Sequence, residues 1–232
     1  MTVAFVIGNG ESRKDIDLYA LKNYGKVYAC NAVYRHYQPD YLVAVDVKMI
    51  LEINQHKWQM ENQVWTNPNK AYHGMQGFNF FQPSKGWSSG PTALWLASTH
   101  GHDTIYILGF DFHGKKDEKG ERTKVNNLYA GTQNYKKSHE PPTYFGNWER
   151  QTASTCEAHA GTRYIRIVED GDDFIPNLNI DWEDISLESL IKANDLATRW
   201  TFNIPTLCRK VEGINAGHLI EVGARPNTGK TS

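Results

Sequence analysis

The chain has 232 residues, of which 40% are hydrophobic and 22% charged, and its formal net charge is -1. This apolar fraction is sufficient for a sizeable core and excludes a globally disordered protein. The nearly balanced charge gives no electrostatic reason to expect nucleic acid or a membrane surface as a partner. Three scattered cysteines without a CxxC motif argue against a disulfide framework or a cysteine zinc site and are typical of a reducing compartment.

Membrane segments and export signals are not predicted. The longest apolar runs, such as residues 3–7, are strand-sized and far shorter than the roughly 20 residues that span a bilayer. The N-terminus enters a strand at once and lacks the pattern of a secretory signal peptide. We therefore expect a cytoplasmic protein without a membrane partner, in the host cytoplasm if a phage encodes it.

Strand-like and helix-like segments alternate along the first 168 residues. Short apolar runs predict six strands, and periodic segments predict helices between them. This alternation is typical of an α/β protein with a doubly wound, mostly parallel, Rossmann-like sheet. The predicted strands are 3–7, 26–31, 41–46, 63–67, 104–110 and 163–168, and the predicted helices are 12–24 (capped by Ser12), 47–53, 91–98 and 147–161.

Two regions interrupt this pattern. Residues 114–142 form a long polar segment that contains several tyrosines in or beside it, which favours a lid over a plain linker. After Val168 an acidic turn, residues 169–173, suggests a boundary near residue 170. We expect a nucleotide-binding domain over 1–170 and an extension over 171–232 that lacks a complete fold, with a short helix at 186–196 and a strand at 219–222.

Polar and small residues follow several of the predicted strands. In a doubly wound sheet, ligands bind beyond the carboxyl ends of the strands, and glycines and helix N-termini there accommodate phosphate. The alternative is that these residues only shape and cap turns. The candidate nucleotide-binding residues are Gly8, Asn9, Gly10, Asn31, Asp46, Ser88, Ser89, Gly90 and Asp111.

Four segments also carry a family resemblance. FVIGNGESRKDIDL, VYACNAVY, WSSGPTALWLA and TIYILGFDFHG resemble the bacterial sialyltransferases that modify lipooligosaccharide, and the wider DUF115-type group with its pterin pyrophosphokinase branch. The resemblance covers residues 1–168. It implies a glycosyltransferase-like fold with a nucleotide-activated sugar as donor, and it implies that Asn9, Asn31 and Ser89, with Ser88 beside it, contact the nucleotide.

The resemblance leaves the catalytic base open. In the sialyltransferases a histidine follows a Tyr-x-Gly motif, whereas here the corresponding residue is Asn147. An asparagine cannot accept a proton from an acceptor hydroxyl. His139 and His113 are alternative bases, and each is equally compatible with a solvated loop histidine.

The sequence predicts no metal site made of histidines, because no HxxxH motif is paired with a carboxylate on a helix. The pyrophosphokinase branch would require Mg²⁺ beneath a diphosphate. Asp46 and Asp111, at two strand ends, are the residues that would hold it.

A different motif occupies the C-terminus. Residues 224–231, ARPNTGKT, fit a P-loop whose first glycine is alanine. Together with the preceding segment they resemble the start of the ATPase core of phage DnaB-type replicative helicases. In that family Gly229 belongs to the loop, Lys230 binds the β- and γ-phosphates, and Thr231 holds Mg²⁺. Because the chain ends at Ser232, without the helix that completes a P-loop, we expect no ATP hydrolysis by the helicase mechanism.

Three functions remain open at this point. The chain is a transferase that uses a nucleotide-activated sugar, a non-catalytic nucleotide-binding accessory protein of a phage, or the N-terminal part of a DNA helicase. Nucleic acid is a partner only in the third case.

Overall fold

The computed structural model describes residues 2–189. These residues form one parallel eight-stranded sheet with helices between the strands, in the order β5-β4-β3-β2-β1-β6-β7-β8. The predicted α/β Rossmann-like fold is therefore confirmed. The strands are β1 (Val3–Ile7), β2 (Lys26–Cys30), β3 (Tyr41–Val43), β4 (Val64–Thr66), β5 (Phe78–Phe80), β6 (Thr104–Leu108), β7 (Arg163–Val168) and β8 (Glu183–Ser186), and the α-helices are α1 (Leu18–Leu21), α2 (Val47–Gln55), α3 (Ser89–Thr99) and α4 (Gly146–Ala158).

The strand order reverses direction around β1. This strand pairs with β2 on one side, where Ile7 lies opposite Ala29, and with β6 on the other, where Ile7 lies opposite Leu108. The chain adds strands outward on the β2 side first and then crosses over to β6. All strands are parallel, so their carboxyl ends meet at one edge of the sheet, and a crevice opens beside β1 at that edge.

The core fixes α3 against the middle of the sheet. Ala93, Leu94 and Ala97 are fully buried and pack with Ala4 and Val6 of β1. Small residues on the helix allow it to approach the strands closely. The N-terminus of α3 therefore lies at the carboxyl edge of the central strands.

The sheet has eight strands where six were predicted. The two additional strands, β5 and β8, are short and lie at the edges. The β8 sequence, Glu-Asp-Ile-Ser, is acidic and largely exposed, a pattern that predicts a loop. Its two acidic side chains form ion pairs with arginines of β7, and sequence alone does not show these contacts.

The single helix predicted over residues 12–24 was wrong. The structure has a 3-10 turn at Glu11–Arg13 and then the short α1. Ser12 does not cap a helix, because its hydroxyl donates to Asp111. Asp17 instead caps the N-terminus of α1, since its side chain accepts a hydrogen bond from the backbone N–H of Tyr19.

The first compact unit of the chain comprises Met1–Ser186. It extends past the boundary expected near residue 170, because β8 belongs to the same sheet. The predicted strand at 219–222 and the P-loop residues Gly229, Lys230 and Thr231 lie outside the described residues, as does most of the helix predicted at 186–196. Among residues 2–189, no helix is long and apolar enough to cross a membrane.

Candidate functional site

A cavity of about 650 Å³ opens at the carboxyl edge of the sheet, beside β1. Its volume lies in the range of small-molecule and cofactor sites. Residues from seven separate stretches of chain line it. They include all nine residues predicted to bind nucleotide, namely Gly8, Asn9, Gly10, Asn31, Asp46, Ser88, Ser89, Gly90 and Asp111.

The glycines bring the loops after β1 and β6 into contact. The backbone N–H of Gly10 donates to the carbonyl of Gly109 over 2.9 Å. A Cβ on Gly8 would lie 2.5 Å from that same carbonyl, and a Cβ on Gly10 would collide with the Asp111 carboxylate. Gly109 has a φ of +70°, which favours glycine. These positions therefore need glycine for close approach of two backbone segments, whether or not a ligand is bound.

Asp111 holds the two loops together. One of its oxygens accepts from the Ser12 hydroxyl over 2.5 Å, and the other accepts from the Ser12 backbone N–H over 3.2 Å. Its side chain is therefore committed to the protein at the cavity wall.

Arg13 supports the glycine loop from below. It is 3% exposed, and its guanidinium donates to the carbonyl of Gly8 over 2.6 Å and to the hydroxyl of Tyr129 over 3.1 Å. No carboxylate pairs with it among the described residues. This position would be the third glycine of a dinucleotide-binding fingerprint, and here it supplies a buried positive charge close to the cavity.

The N-terminus of α3 opens into the cavity. Ser88 precedes the helix, and no side chain caps the helix at that end. The first turn of a helix carries backbone N–H groups without helical partners, and these favour anions. The Ser89 hydroxyl accepts from the backbone N–H of Val45 over 3.0 Å, so its main role in this structure is to attach α3 to the end of β3.

Asn9 and Asn31 differ in how they are held. The Asn9 amide donates to the hydroxyl of Tyr135 over 3.1 Å. The side-chain oxygen of Asn31 is buried and has no hydrogen-bond partner within residues 2–189. Asn31 also adopts a φ of +52°, an uncommon conformation for a residue other than glycine. A buried polar atom without a partner in a cavity wall is suited to a ligand.

The carboxylate of Asp46, like the side-chain oxygen of Asn31, has no hydrogen-bond partner among the described residues. The residue precedes α2 but forms no capping hydrogen bond, and no described side chain pairs with it. Burial by the cavity walls raises the pKa of its carboxyl, while the residue remains partly open to solvent. Of the two predicted acidic residues, Asp46 is thus the one available to a ligand.

The 114–142 segment forms one wall of the cavity and is firmly anchored. Its Asn134 donates to the Glu52 carboxylate over 2.7 Å, and Arg35 donates to the hydroxyl of Thr132 over 2.9 Å. Glu52 and Arg35 are themselves paired at 2.7 Å. The segment lines the cavity with Val125, Asn126, Asn127, Ala130, Asn134, Tyr135 and Lys136.

The candidate catalytic residues are not brought together. His139 is exposed and does not line the cavity. Asn147 is also exposed, in the first turn of α4, and its side-chain oxygen accepts from Arg150. His113 does line the cavity, but its two ring nitrogens face Asp172 at 3.0 Å and Arg122 at 2.7 Å. None of the three is therefore placed as a free base at the cavity.

Aromatic residues of the cavity were missed by sequence reasoning. Phe110 and Phe112 follow β6, and Phe145 and Trp148 lie at the start of α4. The Phe145 and Trp148 rings meet edge to face, with centroids 5.4 Å apart. Their position next to the Tyr-x-Gly motif was the available signal, because this motif already marked the start of α4.

Asp46 and Asp111, the residues expected to hold Mg²⁺, do not belong to a cluster of metal-ligating side chains within residues 2–189. No group of three or more histidine, cysteine or acidic side chains within residues 2–189 could hold a metal ion. Both Asp111 oxygens are engaged by Ser12, which leaves Asp46 as a single available carboxylate.

Comparisons with protein-family models, with curated proteins and with solved structures give no match to this chain.

Proposed function

We propose that the cavity binds a nucleotide, and that the protein is a transferase whose donor is a nucleotide-activated sugar. The observation that carries this proposal is the convergence of nine residues, selected from five separate segments of sequence, on one cavity at the switch point of the sheet. The cavity combines features that suit a nucleotide, namely glycine loops, a helix N-terminus, an unpartnered amide oxygen on Asn31 and aromatic walls.

The phosphates are best accommodated between the glycine loop and the N-terminus of α3. Unpaired backbone N–H groups of the first helical turn favour a negative charge. Arg13 adds positive charge beneath Gly8, and Lys136 lines the cavity with an exposed ammonium group. We expect the amides of Asn9 and Asn31 to contact the nucleoside, and Phe110 and Tyr135 add aromatic side chains to the cavity wall.

Transfer of a sugar requires a group that accepts the proton of the incoming hydroxyl. Because His113 is engaged and His139 and Asn147 lie off the cavity, Asp46 is the candidate base among the lining residues. Its raised pKa moves the carboxyl toward the range useful for proton transfer. A non-catalytic nucleotide-binding protein would share the cavity and differ only in turnover.

Nucleotide binding is tested by calorimetry and thermal shift against CMP, CDP, UDP, GDP, ADP and ATP. Saturation at 100 times Kd should stabilise the protein by about 2.7 kcal/mol. Asn31→Ala should weaken binding of the selected nucleotide by roughly three- to tenfold, as expected for the loss of a neutral hydrogen bond.

Asn23→Ala is the matched control. Asn23 is exposed and precedes β2, so it lies at the opposite edge of the parallel sheet, and its replacement should leave binding unchanged. The proposal fails if no nucleotide stabilises the wild-type chain, or if Asn31→Ala binds the nucleotide as tightly as the wild type does.

A further inference from the structure

We infer that the group carried by the nucleotide is neutral and rich in hydroxyls, and that carboxylated sugars such as sialic acid are disfavoured. This inference rests on the proposed function. It concerns the half of the cavity that lies over the ends of β2 and β3, where the structure places two oxygen-bearing side chains without partners.

Asp46 supplies the negative charge that excludes a carboxylate. No cation among the described residues pairs with it, and desolvation is the cause that raises the pKa of its carboxyl. A nearby Lys or Arg would lower that pKa instead. Lys48 of α2 also lines the cavity, but it forms no ion pair with Asp46 within residues 2–189.

Asn31 supplies a neighbouring acceptor. It directly follows β2, whose Cys30 lies opposite Val43 of β3. Its side-chain oxygen is buried and unpartnered. Asn31 and Asp46 thus line the cavity from the loops that follow two adjacent strands, and their side-chain oxygens are satisfied by hydroxyl donors rather than by another acceptor.

Positive charge is found elsewhere in the site. Arg13 lies beneath the glycine loop, and the α3 N-terminus favours the phosphates. A carboxylate on the transferred sugar would gain nothing from these groups if they hold the phosphates, and it would be repelled by Asp46. Because Asp46 is open to solvent, the repulsion between two like charges about 4 Å apart lies near its bulk-water value, and a loss of affinity of about five- to tenfold is expected.

The experiment compares UDP-glucose with UDP-glucuronic acid, and CMP with CMP-sialic acid, by calorimetry on the full chain. In the pair whose nucleotide binds, the wild type should prefer the ligand without the carboxylate by about five- to tenfold. Asp46→Asn, which keeps the shape of the side chain, should bring the two affinities to within about twofold of each other. Both estimates follow from the interaction of the two charges.

Glu61→Gln is the matched charge control. Glu61 is exposed and precedes β4, at the edge of the sheet opposite the cavity, so the wild-type preference should persist. Equal binding of both ligands by the wild type, or a preference unchanged in Asp46→Asn, would overturn the inference while leaving nucleotide binding intact. Absence of binding by all four ligands and by the six screened nucleotides would instead reject the proposed function, and this inference with it.

Discussion

Arg166 of β7 and Asp184 of β8 form a two-point ion pair in which both nitrogen–oxygen distances are 2.7 Å. Arg166 is 1% exposed, and it also donates to the carbonyl of Phe110 over 3.1 Å. The rings of Phe112 and Trp182 flank its guanidinium, at 5.8 and 5.1 Å. The last strand of the sheet is thereby connected to the loop that lines the cavity after β6.

Asp184→Ala should destabilise the protein by about 3 kcal/mol, because it leaves a buried guanidinium without its counter-ion. The matched control is Glu183→Ala. Glu183 pairs with Arg163 through the same two-point geometry on the same two strands, but both side chains are largely exposed. That change should cost much less stability than Asp184→Ala, because an exposed ion pair contributes little. Urea unfolding of the two variants measures the difference, and equal losses would contradict the role assigned to Arg166.

A chain that ends at Asp170 should be much less stable than one that ends at Ser189. The shorter chain lacks β8 and Trp182, and it exposes Arg166 together with the β7 edge. An unpaired buried charge and a lost strand together exceed the stability margin of many domains. Circular dichroism melts of both chains test this. Indistinguishable melting temperatures would show that the folded domain ends near residue 170 and does not need β8.

Gly10→Ala should impair both folding and nucleotide binding, because the new methyl group collides with the Asp111 carboxylate. Displacement of a tightly packed loop typically costs about 1–3 kcal/mol. Gly161→Ala is the control, since a Cβ there meets no atom within 4 Å and its φ lies outside the left-handed region. Thermal melts and calorimetry should separate the two variants. A Gly10→Ala protein with wild-type stability and affinity would show that the loops after β1 and β6 can separate freely.

Glu52 should make the stability of the 114–142 segment dependent on pH. Burial alone would raise the pKa of its carboxyl, but hydrogen bonds from Arg35, Tyr34 and Asn134 and the attraction of Arg35 hold it below the ordinary value. The carboxylate therefore stabilises the fold above about pH 4.3, the value for an unfolded glutamate. That contribution is lost as pH falls toward the lower folded value.

At pH 7, Glu52→Gln should cost about 2–3 kcal/mol, since Arg35 loses its partner, and should speed proteolysis within residues 114–142. The gap in stability between wild type and variant should narrow as the pH is lowered from 6 to 3.5. Unfolding curves at each pH, with cleavage sites read by mass spectrometry, provide the measurement. A gap that stays constant across this range would exclude Glu52 as the titrating group.

Six of the strands and several cavity-lining residues were accessible from the sequence for a physical reason. A continuous apolar run such as Val3–Ile7 is buried on both faces of a parallel sheet, and the residue after such a run lies at the ligand-binding edge. Gly8, Asn31 and Asp46 were selected by this rule alone, and all three line the cavity.

The contacts between distant segments were not accessible. Nothing local to Glu52 predicts that it anchors Asn134, which lies 82 residues later. The engagement of His113 by Arg122 and Asp172 likewise depends on how the 114–142 segment and the acidic turn pack against each other. Without these contacts, a histidine after β6 is an equally good candidate for catalysis or for structure.

The pairing of β1 with β6 determines when, during synthesis, the two walls of the cavity beside β1 come together. Gly8 is translated about 100 residues before Leu108, the end of the strand beside which it is placed. At about 5–20 residues per second, that interval amounts to several seconds or more. During this time the first five strands have no partner on one side of β1, and the glycine loop has no opposing wall. We therefore expect a ribosome-bound chain that ends before β6 to show no nucleotide binding, however well its β1–β5 half has formed.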